Sequence, residues 1–258
     1  MLIQCVSDLH LESEDAAVAP TAGADVLVLA GDIDSTWAGF ERFSGWPVPV
    51  LCVAGNHEFD DRDIADAWPA LRAHCQTLGI TLLERASTVL QDRDGRRVRF
   101  VGTVRWTDFD LFGPQQRERA MRAGAYFMNV QQSRLQGQPF DAAAVRGEAL
   151  ACRQWLAAEL ARPSDGRWDA TVAITHFAPS ALSVDPRYGM RPSSASFCNA
   201  DDDLLPHADL WLHGHLHYRH DYTVRHADGR STRVICHARG LASKGEDAGW
   251  DPARLLRA

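Results

Sequence analysis

No CxxC pair, no apolar run long enough to cross a bilayer and no excess of basic charge occur in this 258-residue chain. Each absence excludes something. Cys5, Cys52, Cys75, Cys152, Cys198 and Cys236 are scattered, several inside apolar runs, which argues against a disulfide framework or a thiolate zinc site and for buried free thiols in a reducing compartment. Spanning hydrocarbon takes roughly 20 consecutive apolar residues. The first strand is expected from Leu2, so neither a membrane span nor a signal peptide is expected, and the expected location is cytoplasmic. A net charge of −7 leaves no basic face for non-specific nucleic-acid binding and is compatible with acidic groups that hold cations. With 45% hydrophobic and 24% charged residues and no internal repeat or low-complexity segment, the chain is that of a globular protein, read as a single domain over 1–258.

What the chain does contain is one pattern repeated. Val50–Glu58, VLCVAGNHE, is an apolar run that stops at Gly-Asn-His-Glu. Four other apolar runs also end in a potential metal ligand. Leu2–Ser7 leads to Asp8 and His10, Val26–Ala30 to Gly31-Asp32, Thr171–Thr175 to His176, and Leu210–Leu212 to His213, His215 and His217. Runs this uniformly apolar read as strands buried on both faces. Open α/β sheets place ligands beyond the carboxyl ends of their strands, so five such endings can meet at one place. An isolated Asp-x-His is an ordinary turn pattern; the ordered set is the signal.

Between these runs, residues 35–46 are expected to form a short helix, and Ile64, Trp68, Leu71, Cys75 and Leu78 follow helical spacing up to Gly79. Pro69 is expected to kink or restart that helix. Ile80–Leu83, Thr88–Gln91 and Arg97–Val104 read as antiparallel strands, the last two joined through Asp94-Gly95. Residues 105–140 read as an irregular, aromatic-rich insertion covering the site. Val145, Ala149, Cys152, Leu156 and Leu160 mark an amphipathic helix that stops before Pro163. Residues 177–203 read as rim loop, and Tyr222–His226 with Thr232–Cys236 as a closing hairpin.

The five blocks Asp8-x-His10, Gly31-Asp32, Gly55-Asn56-His57-Glu58, His176 and Gly214-His215-x-His217 resemble those of the calcineurin-like metallophosphoesterase superfamily, and within it the bacterial predicted-phosphohydrolase group. The resemblance spans residues 8–217. It implies an α/β fold, a four-layer α-β-β-α sandwich of two mixed β-sheets flanked by helices. It also implies that Asp8, His10 and His217 hold one metal, Asn56, His176 and His215 a second, that Asp32 bridges both, and that His57 is the catalytic histidine. Relatives with a ferric ion carry a tyrosine shortly after the Gly-Asp block; Ile33-Asp34-Ser35 offers none. The run His213 to His217 is only superficially like the HxHxDH box of metallo-β-lactamase-fold hydrolases, because Tyr218 follows where that box ends in Asp-His. The group's usual Asn-Pro-Arg-Gly-Tyr segment appears here as His237-Ala238-Arg239-Gly240-Leu241, which keeps Arg239 as a candidate phosphate contact.

Nitrogen and oxygen ligands without thiolate suit two divalent transition-metal ions, Mn, Fe or Zn. Two such ions about 3.5–4 Å apart can share a bridging hydroxide and hold phosphoryl oxygens during in-line attack. The expected activity is hydrolysis of a phosphomonoester or phosphodiester, with a non-catalytic metal-binding scaffold or hydrolysis of a non-phosphate ester as alternatives. Asp34 and Glu58 are the carboxylates expected to orient the ligand histidines. The expected partner is a small phosphorylated substrate. Trp106, Phe109 and Tyr126 either pack the insertion's own core or stack on a nucleotide-like ligand. Oligomeric state is not legible.

Overall fold

The computed structural model describes residues 1–258. The chain forms strands β1 (Leu2–Val6), β2 (Val26–Ala30), β3 (Val50–Val53), β4 (Ile80–Leu82), β5 (Ala86–Gln91), β6 (Arg97–Thr103), β7 (Arg134–Leu135), β8 (Gln138–Pro139), β9 (Ala170–Thr175), β10 (Leu210–His213), β11 (His220–Arg225), β12 (Ser231–Cys236) and β13 (Leu255–Arg257), and helices α1 (Ile64–Thr77), α2 (Arg117–Gln131) and α3 (Ala142–Leu160). Two mixed sheets account for most of the strands. The first has the order β13-β1-β2-β3-β4, parallel except for β13, and the second the order β11-β12-β10-β9-β6-β5, parallel except at its two edges.

The apolar runs are buried on both faces because the sheets pack on one another. Ile3, Val26, Val28, Leu51 and Val53 of the first sheet share a core with Phe100, Val172, Ile174, Leu212 and Ile235 of the second. Outside the first sheet, Leu27, Leu29 and Cys52 meet Ile64, Ala67, Leu71 and Cys75 of α1. Outside the second, Val101, Ala173, Trp211 and Val234 meet Leu156 and Leu160 of α3. The expected α-β-β-α layering is present. No helix is long and apolar enough to cross a membrane.

Two local expectations are narrowed and two change. Residues 35–46 contain only a short 3-10 helix, Ala38–Phe43. Its start is set by Asp34, whose Oδ2 accepts from Gly39 N at 2.8 Å. Helix α1 runs through Pro69 without interruption, with Asp63 capping it by accepting from Ala65 N. Strand β4 lies parallel to β3 in the first sheet, Val50 opposite Ile80, because α1 is a crossover and Gly79 ends it, so the chain returns in the original direction. Residues 105–140 are not wholly irregular: they hold α2 and the small β7-β8 hairpin. Trp106 and Phe109 are 1% exposed. Trp106 is enclosed by Phe59, Phe140 and Phe177, which leaves no face for a base; of the three aromatics considered for stacking only Tyr126 is exposed.

Candidate metal centre

The parallel strands of both sheets point their carboxyl ends to one edge of the sandwich, and the polar block after each run arrives there. Asp8 follows β1, Asp32 follows β2, Asn56 and His57 follow β3, His176 follows β9, and His215 and His217 follow β10. Main-chain bonds stitch the block ends together, Asp8 N to Gly31 O at 3.0 Å, His10 N to Asp32 O at 3.2 Å and Gly214 N to His176 O at 3.0 Å.

Two groups of ligand atoms result. Those of Asp8, His10 and His217 lie within 4.8 Å of one another, and so do those of Asp32, His176 and His215. Nε2 of His10 and Nε2 of His217 are 3.0 Å apart, and His176 Nε2 is 3.1 Å from Asp32 Oδ2. Asp8, Asp32 and His176 are at most 1% exposed. Asp8 Oδ2, Asn56 Oδ1 and His176 Nε2 are buried without a hydrogen-bond partner, His176 Nε2 meeting Asp32 only as a charged contact. Buried polar atoms are ordinarily satisfied, so these orphans fit a site that takes a further partner, and an oxygen-and-imidazole lining suits a cation.

Two further features fit a cation. A Cβ on Gly214 would come 2.5 Å from Asp8 Oδ2, and one on Gly55 would strike Asp32 Oδ1, so both carboxylates are pressed against bare backbone. Asp8, His10, Asp32, His215 and His217 all have left-handed backbone, with φ from 48° to 71°. That conformation costs a residue with a Cβ about 1–2 kcal/mol. Five expected ligands share it because each must turn its side chain into the crevice directly after a strand.

The titration behaviour points the same way. Burial works against the charged forms of His176 and His57, yet the surrounding acceptors together outweigh it, Asp32 foremost for both and Asp60 next for His57, and lift them to about 9 and about 10. Against burial, His176 and then His57 hold Asp32 well below the usual carboxylate range. His215 goes the other way, lowered by burial and then by His176. The buried carboxylates recruit protons onto neighbouring imidazoles, and a divalent cation would supply that charge instead.

The supporting groups are only partly those expected. Glu58 binds no histidine: it accepts from Ile33 N at 2.7 Å, Gly55 N at 2.6 Å and Asp32 N at 3.1 Å, locking the Gly-Asp turn onto the Gly-Asn-His-Glu turn. Asp34 is likewise engaged locally with Thr36 and Gly39. The ligand imidazoles are instead oriented by Glu12 on His10 at 3.2 Å, Ala30 O on His176 at 2.9 Å, Ser196 O on His215 at 3.2 Å and Glu246 on His217 at 2.7 Å. Phe177 and Phe197 flank the His215 ring at 4.1 and 5.0 Å. His57 Nδ1 is 2.6 Å from Asp60 Oδ2, and its ring lies 5.0 Å from that of His10. Glu12, two residues after His10, and Asp60, three after His57, are the partners that lie close in sequence. Arg239 is 5% exposed and its guanidinium donates to Leu9 O, Asp15 O and Glu14, so its hydrogen bonds hold the loop after β1. His213 is buried and pairs with His220 at 3.0 Å and Ser183 at 3.3 Å.

The family model for calcineurin-like phosphoesterase matches residues 1–219. No curated protein sequence matches the chain. Among solved structures, the phosphopantetheinyl hydrolase PptH from Mycobacterium tuberculosis is similar in fold, with a TM-score of 0.71 and 19% identity, covering 98% of this chain and 95% of that one. A dimetal phosphatase from Danio rerio (TM-score 0.46, 14% identity, 91% and 86% covered) and the calcineurin-like phosphoesterase YfkN from Bacillus subtilis (TM-score 0.43, 14% identity, 92% and 80% covered) also align.

Proposed function

We propose that this chain, which belongs to the calcineurin-like phosphoesterase family, is a phosphoesterase that holds two divalent cations and hydrolyses a phosphomonoester or phosphodiester with water as nucleophile. The observation that carries this reading is the pair of ligand groups, each with a buried atom that lacks a hydrogen-bond partner, Asp8 Oδ2 in one and His176 Nε2 in the other. Asp8, His10 and His217 would hold one cation and Asn56, His176 and His215 the other, with Asp32 between them. Bound there, the cations supply Lewis acidity toward phosphoryl oxygens and lower the pKa of the attacking water.

The chain's own residues do the rest. His57 N–H donates to Asp32 Oδ1 at 2.9 Å, which fixes one carboxylate oxygen and leaves the other toward His176. The Asp60 carboxylate accepts a hydrogen bond from His57 Nδ1–H, so Nε2 is the atom that would carry a proton to or from the reacting oxygens. At 33% side-chain exposure His57 is the most open polar group of the set, where a substrate can reach it. Phe177 and Phe197 keep water from one side of His215.

The test is hydrolysis of p-nitrophenyl phosphate and bis-p-nitrophenyl phosphate before and after Mn²⁺ addition, beside Asp32→Ala. A phosphopantetheinyl ester joins the panel because the neighbour from M. tuberculosis is a phosphopantetheinyl hydrolase, and an acyl ester joins it as the non-phosphate control. Metal-dependent turnover of a phosphoester that Asp32→Ala abolishes is the expected result. Turnover of the acyl ester alone, or metal binding with no turnover of any ester, would replace the reading with an esterase or a scaffold.

A further inference from the structure

The two ligand groups are bordered by different chemistry. Beside the first, the His57 ring lies 5.0 Å from that of His10, a polar and titratable neighbour. Beside the second, the neighbours are apolar rings in series. Phe197 lies 5.0 Å from His215, Phe127 of α2 lies 5.0 Å from Phe197 at 78°, and Tyr126 lies 5.5 Å from Phe127 at 79°. The last two steps have the edge-to-face geometry that aromatic pairs prefer. The series also runs from inside to outside: Phe197 and Phe127 are half-buried, and Tyr126 is 69% exposed. Val130, one turn of α2 beyond Tyr126, is 60% exposed. An aromatic ledge thus leads from a candidate metal ligand to solvent and leaves large apolar side chains in water at its outer end.

We propose that Phe197, Phe127 and Tyr126 form the subsite for the organic arm of the phosphoester, and that the arm it takes is apolar and ring-bearing, not a sugar or a charged chain. This rests on the phosphoesterase reading of the centre. The ledge is held in place from both sides. The carbonyl of Ser196 lies 3.2 Å from His215 Nε2, and the carbonyl of Phe197, the next residue, accepts from Ala178 N at 3.1 Å. Helix α2 settles on this segment at Gly124, where a Cβ would come 2.9 Å from Ser196 Oγ and 2.7 Å from the Phe109 ring. Without a side chain there, the helix comes close enough for Phe127, three residues on, to reach Phe197. From Ala123 to Gln131 the helix carries no charged residue, so this stretch offers a bound arm no ionic partner. An apolar arm lying on the rings leaves water at a gain. A sugar there would lose water from its hydroxyls with nothing in exchange.

The experiment compares propyl phosphate, phenylpropyl phosphate and a hexose phosphate as substrates of the Mn²⁺-loaded full-length protein, or the methyl diesters of the same alcohols if diesters are preferred. The propyl and phenylpropyl esters release alkoxides of like basicity, so a difference between them reports the ring alone. Wild type should favour the phenylpropyl ester by about tenfold in kcat/KM, mainly through KM, and turn over the hexose ester least. Tyr126→Ala and Phe127→Ala should each raise KM for the phenylpropyl ester by about 3–10-fold and leave kcat and KM for the propyl ester unchanged, and Phe127→Tyr should keep the discrimination. Equal kcat/KM for the two propyl esters in wild type, preference for the hexose ester, or discrimination undiminished in both alanine variants overturns the assignment. Tyr126 is exposed, so Tyr126→Ala decides the matter should Phe127→Ala fail to fold. Absence of metal-dependent turnover of every ester overturns the phosphoesterase reading itself, a result distinct from turnover that ignores the ring.

Discussion

Two buried clusters of carboxylates lie in this molecule, and they are built on opposite plans. Around Arg105, Asp201 and Asp108 are at most 5% exposed. The guanidinium donates to Asp201 through Nε and Nη2 at 2.8 Å each, to Asp108 at 2.8 Å and to Trp106 O at 2.8 Å. Arg153 adds a second cation to Asp201 at 3.2 Å. Around Asp8 and Asp32 no arginine or lysine takes part: their ion-pair partners are the histidines His217 and His176, and Asp8 Oδ2 has no partner. A buried charge is tolerated only when paired. The first cluster carries its cation in the sequence and is therefore structural, pinning the 105–108 segment to the loop at Asp201. The second has no such cation in the sequence, and on the proposed reading cations from outside would complete it.

The contrast can be broken in either direction. The largest effect is expected from Asp32→Ala, which removes the carboxylate between the two ligand groups: metal-dependent turnover should fall to that of the metal-free protein, measured on the preferred ester. His57→Ala should lower turnover by about 10²–10⁴-fold with metal content unchanged, which separates proton handling from cation binding. Arg105→Met, the matching lesion in the other cluster, should cost about 3–5 kcal/mol of stability by leaving buried Asp108 without its cation and Asp201 with Arg153 alone, seen in denaturant unfolding, while the folded fraction binds metal as wild type does. The smallest effect sharpens the comparison. Free Mn²⁺ at about a hundredfold over its dissociation constant should stabilise wild type by about 3 kcal/mol relative to the chelated protein. Asp32→Ala should gain much less, and Arg105→Met should gain the same increment.

The convergence of the candidate ligands was legible because its signal is one-dimensional. Each ligand follows a buried parallel strand by one to four residues, so Asp8, Asp32, His176 and His217 announce themselves where apolar runs stop. What orients them was not legible, because it depends on where loops return. Glu246 reaches His217 across 29 residues, and the carbonyls that hold His176 and His215 have no side-chain signature. Helix α2 was hidden for a different reason. The residues it buries are Ala120, Gly124 and Gln131, small or polar, with Gly124 close against Phe109 and Ser196, and Met121 and Met128 pack on the core only partly buried, so the apolar stripe is thin. The parallel setting of β4 was missed because Gly79 followed by a short apolar run reads equally as a hairpin. Only the crossover made by α1 decides its direction.

The central claim is that the cluster without an arginine is a two-cation centre. Anomalous X-ray scattering from crystals grown with Mn²⁺ tests it most directly. The account predicts two peaks, one among Asp8, His10 and His217 and one among Asn56, His176 and His215, with Asp32 reaching both, and none beside Arg105. Mn²⁺ bound only at surface carboxylates, or no peak among these histidines in metal-loaded crystals, would contradict it.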